Sequence, residues 1–140
     1  MNTKIYKAVH TLAELLMEAV KRKDNKAFAT LYTELKAICV DNENTDKDHP
    51  VQWETLADFT EDLEEAIGVY AKALTKAVAI NSNKDHMSSV AFSMATLQLE
   101  MGQKEEAIKN LQSAKISANK IEDKELKSEI HDLLESLSTS

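Results

Sequence analysis

Apolar residues recur along this chain at steps of three and four positions, which is the spacing of one face of an α-helix. The pattern predicts three consecutive pairs of helices and one further helix at the end. The predicted pairs cover residues 4–40, 50–81 and 84–121, and the last helix covers residues 123–138. The stripe of the first helix is wider than one face, so we expect other elements to contact that helix on more than one side.

Polar segments and single residues mark the predicted helix ends. Residues 41–48 and 81–85 are polar and have no periodicity, so they are predicted loops. Pro50 suits the first turn of the helix after the first loop, and Gly102 suits a helix C-terminus. The second helix of the chain is expected to be capped by Asp24 or by the asparagine that follows it.

One stretch leaves two arrangements open. The apolar rhythm continues without a break between residues 53 and 77. Two helices that meet near residues 59–62 fit this stretch, and so does a single long helix. Two helices are the prediction, with Thr60 as the cap of the second one, because threonine is a common N-cap residue.

Composition decides the fold class. The chain has only two glycines and one proline in 140 residues, whereas sandwiches and barrels need many turns built from such residues. Alanine, leucine, glutamate and lysine are abundant, and all four favour helices. The length fits one domain with a real core. The sequence therefore predicts a single all-α domain, residues 1–140, with six or seven helices.

The charge of the chain limits the classes of partner. A net charge of −7 argues against nucleic acid, whose binding needs a basic surface, and against an anionic membrane. The one short basic run, residues 21–23, lies at a predicted helix end, where cations favour the C-terminal dipole. We therefore interpret this run as part of the helix end, rather than as a phosphate site.

Cys39 and the apolar segments bear on cellular location. A single cysteine allows no intrachain disulfide, and Cys39 lies on the apolar side of its helix, where a free thiol acts as a small hydrophobic group. His10, Glu14 and Glu18 interrupt any apolar run that could serve as a signal peptide. Since no apolar stretch of about 18 residues occurs either, a cytoplasmic location is expected.

Motifs for catalysis and cofactor binding are absent from the sequence. Nucleotide-binding loops need several glycines at one helix start, but Gly68 and Gly102 are far apart. The acidic run at residues 61–65 is interpreted as a solvated helix start, because catalytic carboxylates need burial or an enforced neighbour. We therefore expect no enzyme activity, no catalytic residues and no cofactor.

Metal sites are the most serious alternative, because helical bundles can hold di-iron centres. Such centres use Glu-x-x-His pairs, and no glutamate stands three positions before a histidine here. His10 with Glu14 and His131 with Glu135 have i, i+4 spacing, which is typical of exposed hydrogen-bonded pairs. No metal site is expected from these residues.

Two histidines occupy equivalent loop positions. His49 and His86 each follow an aspartate, in the segments Lys47–His49 and Lys84–His86. Capping of the next helix by the aspartate or by the histidine itself is the expected role. A shared metal or pH-responsive surface is the alternative.

An internal repeat relates the helix pairs. The segment Glu64–Ile67 recurs as Glu105–Ile108, an offset of 41, whereas the loop segment that ends at His49 recurs at an offset of 37. The difference of four residues is about one helical turn. The earlier pair is therefore predicted to lack one turn at its inner bend. Alanines recur at the larger offset, which predicts close approach of the two helices of each pair.

The repeat resembles the tetratricopeptide repeat family. The best match is residues 88–121, where small and apolar residues fall at the family's spacing: Ala91, Met94, Ala95, Gly102, Ala107, Leu111 and Ala114. Residues 50–81 match in the second helix only, and residues 4–40 match by helix pairing alone. The length near 40 is similar to the longer repeats of the kinesin-light-chain type. Ala91 stands where the family has an aromatic residue, and the proline that ends a typical repeat is missing.

The resemblance implies a fold and a function. It implies antiparallel hairpins stacked as a short right-handed superhelix, with the C-terminal helix as a cap. The first helix of each pair would line a concave surface, where Ser89, Phe92, Thr96 and Leu99 would contact a partner. Phe92 and Leu99 lie off the core stripe of their helix, which agrees with a second apolar face, but packing against a neighbouring pair is the alternative.

The expected function is binding of a peptide or helix of another protein. Two alternatives stay open: a cytoplasmic chaperone for secreted proteins, and a structural protein that forms homodimers through the same groove. The family binds unrelated partners, so the resemblance does not identify one.

Overall fold

Seven helices make up the described part of the chain, and no strand occurs in it. The computed structural model describes residues 2–80, 84–118 and 124–138, with side chains omitted at 84–86, 115–118 and 138. The all-α prediction is confirmed. The helices are α1 (Thr3–Arg22), α2 (Asn25–Asp41), α3 (Pro50–Asp58), α4 (Leu63–Ala79), α5 (Lys84–Glu100), α6 (Lys104–Ala118) and α7 (Lys124–Ser138).

Short polar residues begin the first two helices. The side chain of Asn2 accepts a hydrogen bond from the backbone N–H of Ile5, and that of Asp24 accepts one from Ala27. The two helices are joined tightly because Lys23 adopts the left-handed conformation, with φ of 57°. The predicted cap at Asp24 is confirmed.

The stretch from residue 50 to residue 80 contains two helices, as predicted, but its cap is not Thr60. Asp62 begins α4, because its side chain accepts a hydrogen bond from the N–H of Glu65 at 2.9 Å. The hydroxyl of Thr60 instead donates to the carbonyl of Leu56 and is paired with Tyr32. The side chain of Thr60 is therefore engaged with the end of α3 and with α2.

One of the two loop histidines has the expected capping role, at the start of α3. His49 caps α3, since its Nδ1 accepts from the N–H of Val51 at 3.2 Å, and Pro50 occupies the first turn as predicted. Asp85 lies within α5, and nothing is described of its side chain or of that of His86. The predicted helix ends at residues 81 and 121, and Asp123 at the predicted start of the last helix, lie outside what the structure describes.

Two hydrophobic clusters form the core. The first joins α1 to α5, and its fully buried members include Leu16, Leu35 and Leu56. The second joins α5, α6 and α7 around Leu111 and Ile130. Burial of apolar surface from consecutive helices is the main source of stability in such a fold. Extensive contacts between helices run mainly from one helix to the next along the chain.

The alanines of the repeat are helix contacts, as predicted. Ala91 and Ala95 of α5 and Ala107 and Ala114 of α6 are almost completely buried in the second cluster. Small side chains let the two backbones approach, and a hydrogen bond from the Ser88 hydroxyl to a carbonyl of α6 at 3.3 Å agrees with that approach. Within the residues described, no helix combines the length and the apolar character needed to cross a membrane.

Candidate functional site

The predicted concave residues lie on α5, with different exposures. Thr96 is exposed and its hydroxyl donates to the carbonyl of Phe92, while Ser89 is half-buried. Phe92 and Leu99 are half-buried because they pack against the second core cluster, which includes Ile130 of α7. The two apolar members therefore contribute to packing near the C-terminal helix. Their role in binding a partner stays a prediction.

The residues weighed for metal or acid–base chemistry are exposed on separate helices. His10 is 2.8 Å from Glu14, and His131 is 3.3 Å from Glu135, so both pairs are the exposed i, i+4 contacts that the spacing predicts. Three of the acidic residues in 61–65 are solvated, and Asp62 is the cap of α4. Among the described residues, no cluster of three or more His, Cys, Asp or Glu side chains could hold a metal ion.

Cys39 belongs to the core, as predicted. Its thiol is buried and donates a hydrogen bond to the carbonyl of Gln52 at 3.3 Å. Burial raises the pKa of the Cys39 thiol to about 12, with smaller contributions from the charges of Asp48 and Glu43. Because the thiolate is the reactive form, this cysteine is suited to packing and not to nucleophilic chemistry.

A polar network fixes the loop before α3 against α4. Asp48 accepts hydrogen bonds from the indole N–H of Trp53 at 2.8 Å and from the ammonium of Lys76 at 2.7 Å. Lys72 lies 4.5 Å above the Trp53 ring and 3.0 Å from Glu43. Partial burial opposes ionisation of Asp48, but the hydrogen bonds from Lys76, the backbone of Asn44 and Trp53 hold its pKa below the ordinary value. The network therefore fixes where α3 begins.

Because α3 is short, an open groove lies beyond its C-terminal end. α3 has 9 residues, whereas α1 has 20 and α5 has 17. The side chains of α1 at positions 6, 10 and 13 form a cleft with α3 residues 51, 52 and 55. Further along the same helix face, Met17 and Val20 line a groove beyond the end of α3. The face of α1 that borders α3 thus continues beyond the end of α3.

Three aromatic side chains lie in this groove. Phe28 and Tyr32 of α2 are stacked at 6.3 Å with nearly parallel rings, and Phe59 meets Phe28 edge-on at 6.5 Å. The hydroxyls of Tyr32 and Thr60 are 2.9 Å apart, which ties α2 to the junction of α3 and α4. We call the surface formed by Met17, Val20, Phe28, Tyr32 and Phe59 the aromatic groove.

The aromatic groove combines half-buried rings with exposed aliphatic side chains. Phe28, Tyr32 and Phe59 are half-buried, whereas Met17 is 61% and Val20 is 58% exposed. Exposed apolar side chains grouped in an open groove with a polar rim are typical of an interaction site. Sequence reasoning missed this groove because its residues come from three separate segments of the chain.

Two carboxylates near the groove have raised pKa values. Glu54 and Asp58 lie one turn apart on α3, and Asp58 also lines the groove. Desolvation, and then the charge of Asp58, raises the pKa of Glu54 to about 7. Desolvation also raises the pKa of Asp58, against the opposing effect of a hydrogen bond from the hydroxyl of Tyr70. Their i, i+4 spacing was the one available sequence signal.

No protein family, curated protein or solved structure matches the chain. The fold and the groove define it as an all-α protein of packed helical hairpins with an open apolar groove. The relation to tetratricopeptide repeats therefore stays a resemblance, carried by residues 88–121.

Proposed function

We propose that this protein is a non-enzymatic binding module, and that the aromatic groove receives a short helical segment of another protein. The observation that carries the proposal is the continuous stripe on α1. Its first part, at positions 6, 10 and 13, borders α3, and its second part, at Met17 and Val20, borders only the groove.

The geometry favours a helix as the occupant. Positions 6, 10, 13, 17 and 20 follow the three- and four-residue steps of a helix-packing face. The segment between the repeated Lys-Asp-His and the repeated Glu-Glu-Ala-Ile is four residues shorter in the pair α3–α4 than in the pair α5–α6, and the loss falls on α3. Four residues are about one turn, or about 6 Å, of helix. A partner helix that takes the place of the missing turn would pack against the remaining part of the stripe. Amphipathic helices commonly bind in apolar grooves of this kind.

Burial of the exposed apolar side chains of the groove by a partner helix would stabilise the complex. Burying an exposed valine or methionine side chain contributes about 1.5–3 kcal/mol. The three rings pack against one another and α1 fixes the backbone at Met17 and Val20, so the main ordering cost on binding is that of the exposed Met17 side chain. A small preformed groove can therefore bind a short segment.

A photo-crosslinking experiment tests the proposal in the native host. A photoreactive amino acid replaces Met17 in one variant and Val78 in a control variant, because Val78 is 63% exposed on α4, outside the groove. We expect a crosslinked protein specific to position 17, with the crosslink mapped to an amphipathic segment. Val20→Lys should abolish that crosslink, whereas Val78→Lys should preserve it.

The two lysine variants are matched controls. Val20 and Val78 have nearly the same exposure and both lie in the last turn of a helix, where a cation is tolerated. Equal crosslinking from positions 17 and 78, or persistence of the crosslink in Val20→Lys, would overturn the proposal. A crosslink from position 17 that joins two copies of this chain into a covalent dimer would show self-association and would also refute a partner protein.

A further inference from the structure

Resting on the proposed function, we propose that the bound segment carries a lysine or arginine beside its apolar anchor, and that Asp58 binds this cation. The walls of the aromatic groove carry more acidic than basic side chains. The acidic ones are Glu14, Glu18, Asp58 and Glu61, and the basic ones are Lys21 and Lys23.

The charges are also separated along the groove. Glu14 and Glu18 flank Met17 on α1, and Asp58 and Glu61 lie at the junction of α3 and α4. The two lysines instead follow Val20, at the end of α1. Glu14 lies 2.8 Å from His10 and Glu18 lies 3.8 Å from Arg22 on α1, while Asp58 faces Met17 from the other wall. Carboxylates therefore lie on both sides of Met17, which favours a cation next to the apolar side chain that contacts Met17.

Asp58 is the carboxylate that the fold orients best. Tyr70 is buried on α4, and its hydroxyl donates to one carboxylate oxygen of Asp58. A carboxylate has two oxygens that accept hydrogen bonds, so it can bind a partner cation while Tyr70 holds it. Burial and the contact with Asp58 raise the pKa of Tyr70, which keeps this hydroxyl protonated and donating.

The surroundings of Asp58 strengthen its attraction for a cation. Although Asp58 as a residue is exposed, desolvation of its carboxylate raises its pKa, and Glu54 places a second carboxyl one turn away. An incoming ammonium or guanidinium stabilises the charged form of both groups. A second copy of this chain is a poor occupant, because each copy carries a net charge of −7.

The test uses two synthetic helical peptides of about 14 residues, the length at which isolated helices become marginally stable. Both carry leucines on one face, and the flanking positions are lysine in one peptide and glutamate in the other. Fluorescence anisotropy measures the binding of each peptide to the full chain. We expect the lysine peptide to bind at least about tenfold more tightly, as expected for a charge-assisted contact.

Asp58→Asn removes the charge and keeps an oxygen that accepts from Tyr70. It should weaken binding of the lysine peptide about tenfold and should not weaken binding of the glutamate peptide, since a like charge is removed. The matched control is Asp132→Asn, because Asp132 is exposed on α7. Circular dichroism confirms that each variant is folded.

The outcomes separate this inference from the proposed function. If Val20→Lys abolishes binding of both peptides while Asp58→Asn has no effect, the groove binds a helix but Asp58 does not select a cation. If Val20→Lys affects neither peptide, the proposed function is wrong. If Asp58→Asn and Asp132→Asn lose the same affinity for the lysine peptide, the peptide is attracted by the overall negative charge of the protein and not by Asp58. The inference would then be rejected.

Discussion

Glu54 should make the protein less stable at alkaline pH than at mildly acidic pH. Burial removes water from the carboxyl of Glu54 on α3, and this desolvation is the main reason why its pKa is raised from the ordinary value of 4.5 to about 7. A raised pKa means that the folded state binds the proton more tightly than the unfolded state. The contribution to stability is therefore fully present below about pH 4.5 and is lost as the pH rises to about 7.

The magnitude follows from the gap between these two values. Each pKa unit corresponds to about 1.4 kcal/mol, so charging Glu54 in the folded protein costs up to about 3–4 kcal/mol. Glu54→Gln is neutral at every pH and keeps nearly the same shape. The variant should therefore be more stable than the parent at pH 8.5 by an amount approaching this value, and about equal to it at pH 4.5.

Urea titration at both pH values, followed by circular dichroism, measures the difference. Glu34→Gln is the control, because Glu34 is exposed in the middle of α2. Its effect should be within about 0.5 kcal/mol at either pH. If the difference in unfolding free energy between Glu54→Gln and the parent is the same at pH 4.5 and at pH 8.5, the carboxyl is not shielded from water. The electrostatic description of this part of α3 is then wrong.

Three further experiments test the packing and the polar network. Ala107→Leu should lower the unfolding free energy by about 1–3 kcal/mol in a urea titration, because it overpacks the contact between α5 and α6. The control Lys109→Leu, at an exposed position, should change stability little, and equal midpoints of the two variants would refute that contact. The thiol of Cys39 should react with an aromatic disulfide reagent only when urea unfolds the chain, and rapid labelling of the native protein would contradict its burial. Asp48→Asn should cost about 1.5–3 kcal/mol at pH 7, because it removes the carboxylate that lies 2.7 Å from the ammonium of Lys76 and leaves only Glu43, at 3.4 Å, as its charged partner. Since the pKa of Asp48 is lowered, that difference should shrink as the pH falls below about 4, and a constant difference would argue against the ion pair.

The helices and their pairing could be predicted because each depends on a local pattern. The steps of three and four define each helix, and Pro50 and Gly102 define two ends. The repeated alanines Ala107 and Ala114 are small residues at fixed spacing, and they are buried where α5 and α6 approach. The cap at Thr60 was predicted wrongly, because its hydroxyl finds partners in α2 and α3 that a local pattern does not show.

The aromatic groove could not be predicted in the same way. Phe28, Tyr32 and Phe59 meet because α3 ends at Asp58, and the sequence left open whether any helix ended there. Two signals pointed towards the groove without locating it. One was the four-residue difference between the two repeat offsets, and the other was the broad apolar stripe of α1, which included Met17.

The order of contacts along the chain has a consequence for how the protein forms. Consecutive helices make most of the contacts. The hydrogen bonds Tyr32–Thr60 and Asp48–Lys76 each join residues that are only 28 positions apart in the sequence. Chains dominated by contacts close in sequence fold in microseconds to milliseconds, because little loop-closure entropy is lost before contacts form. We therefore expect rapid folding, in which neighbouring helices associate first and the two hairpins that share the first cluster become stable only when they pack together.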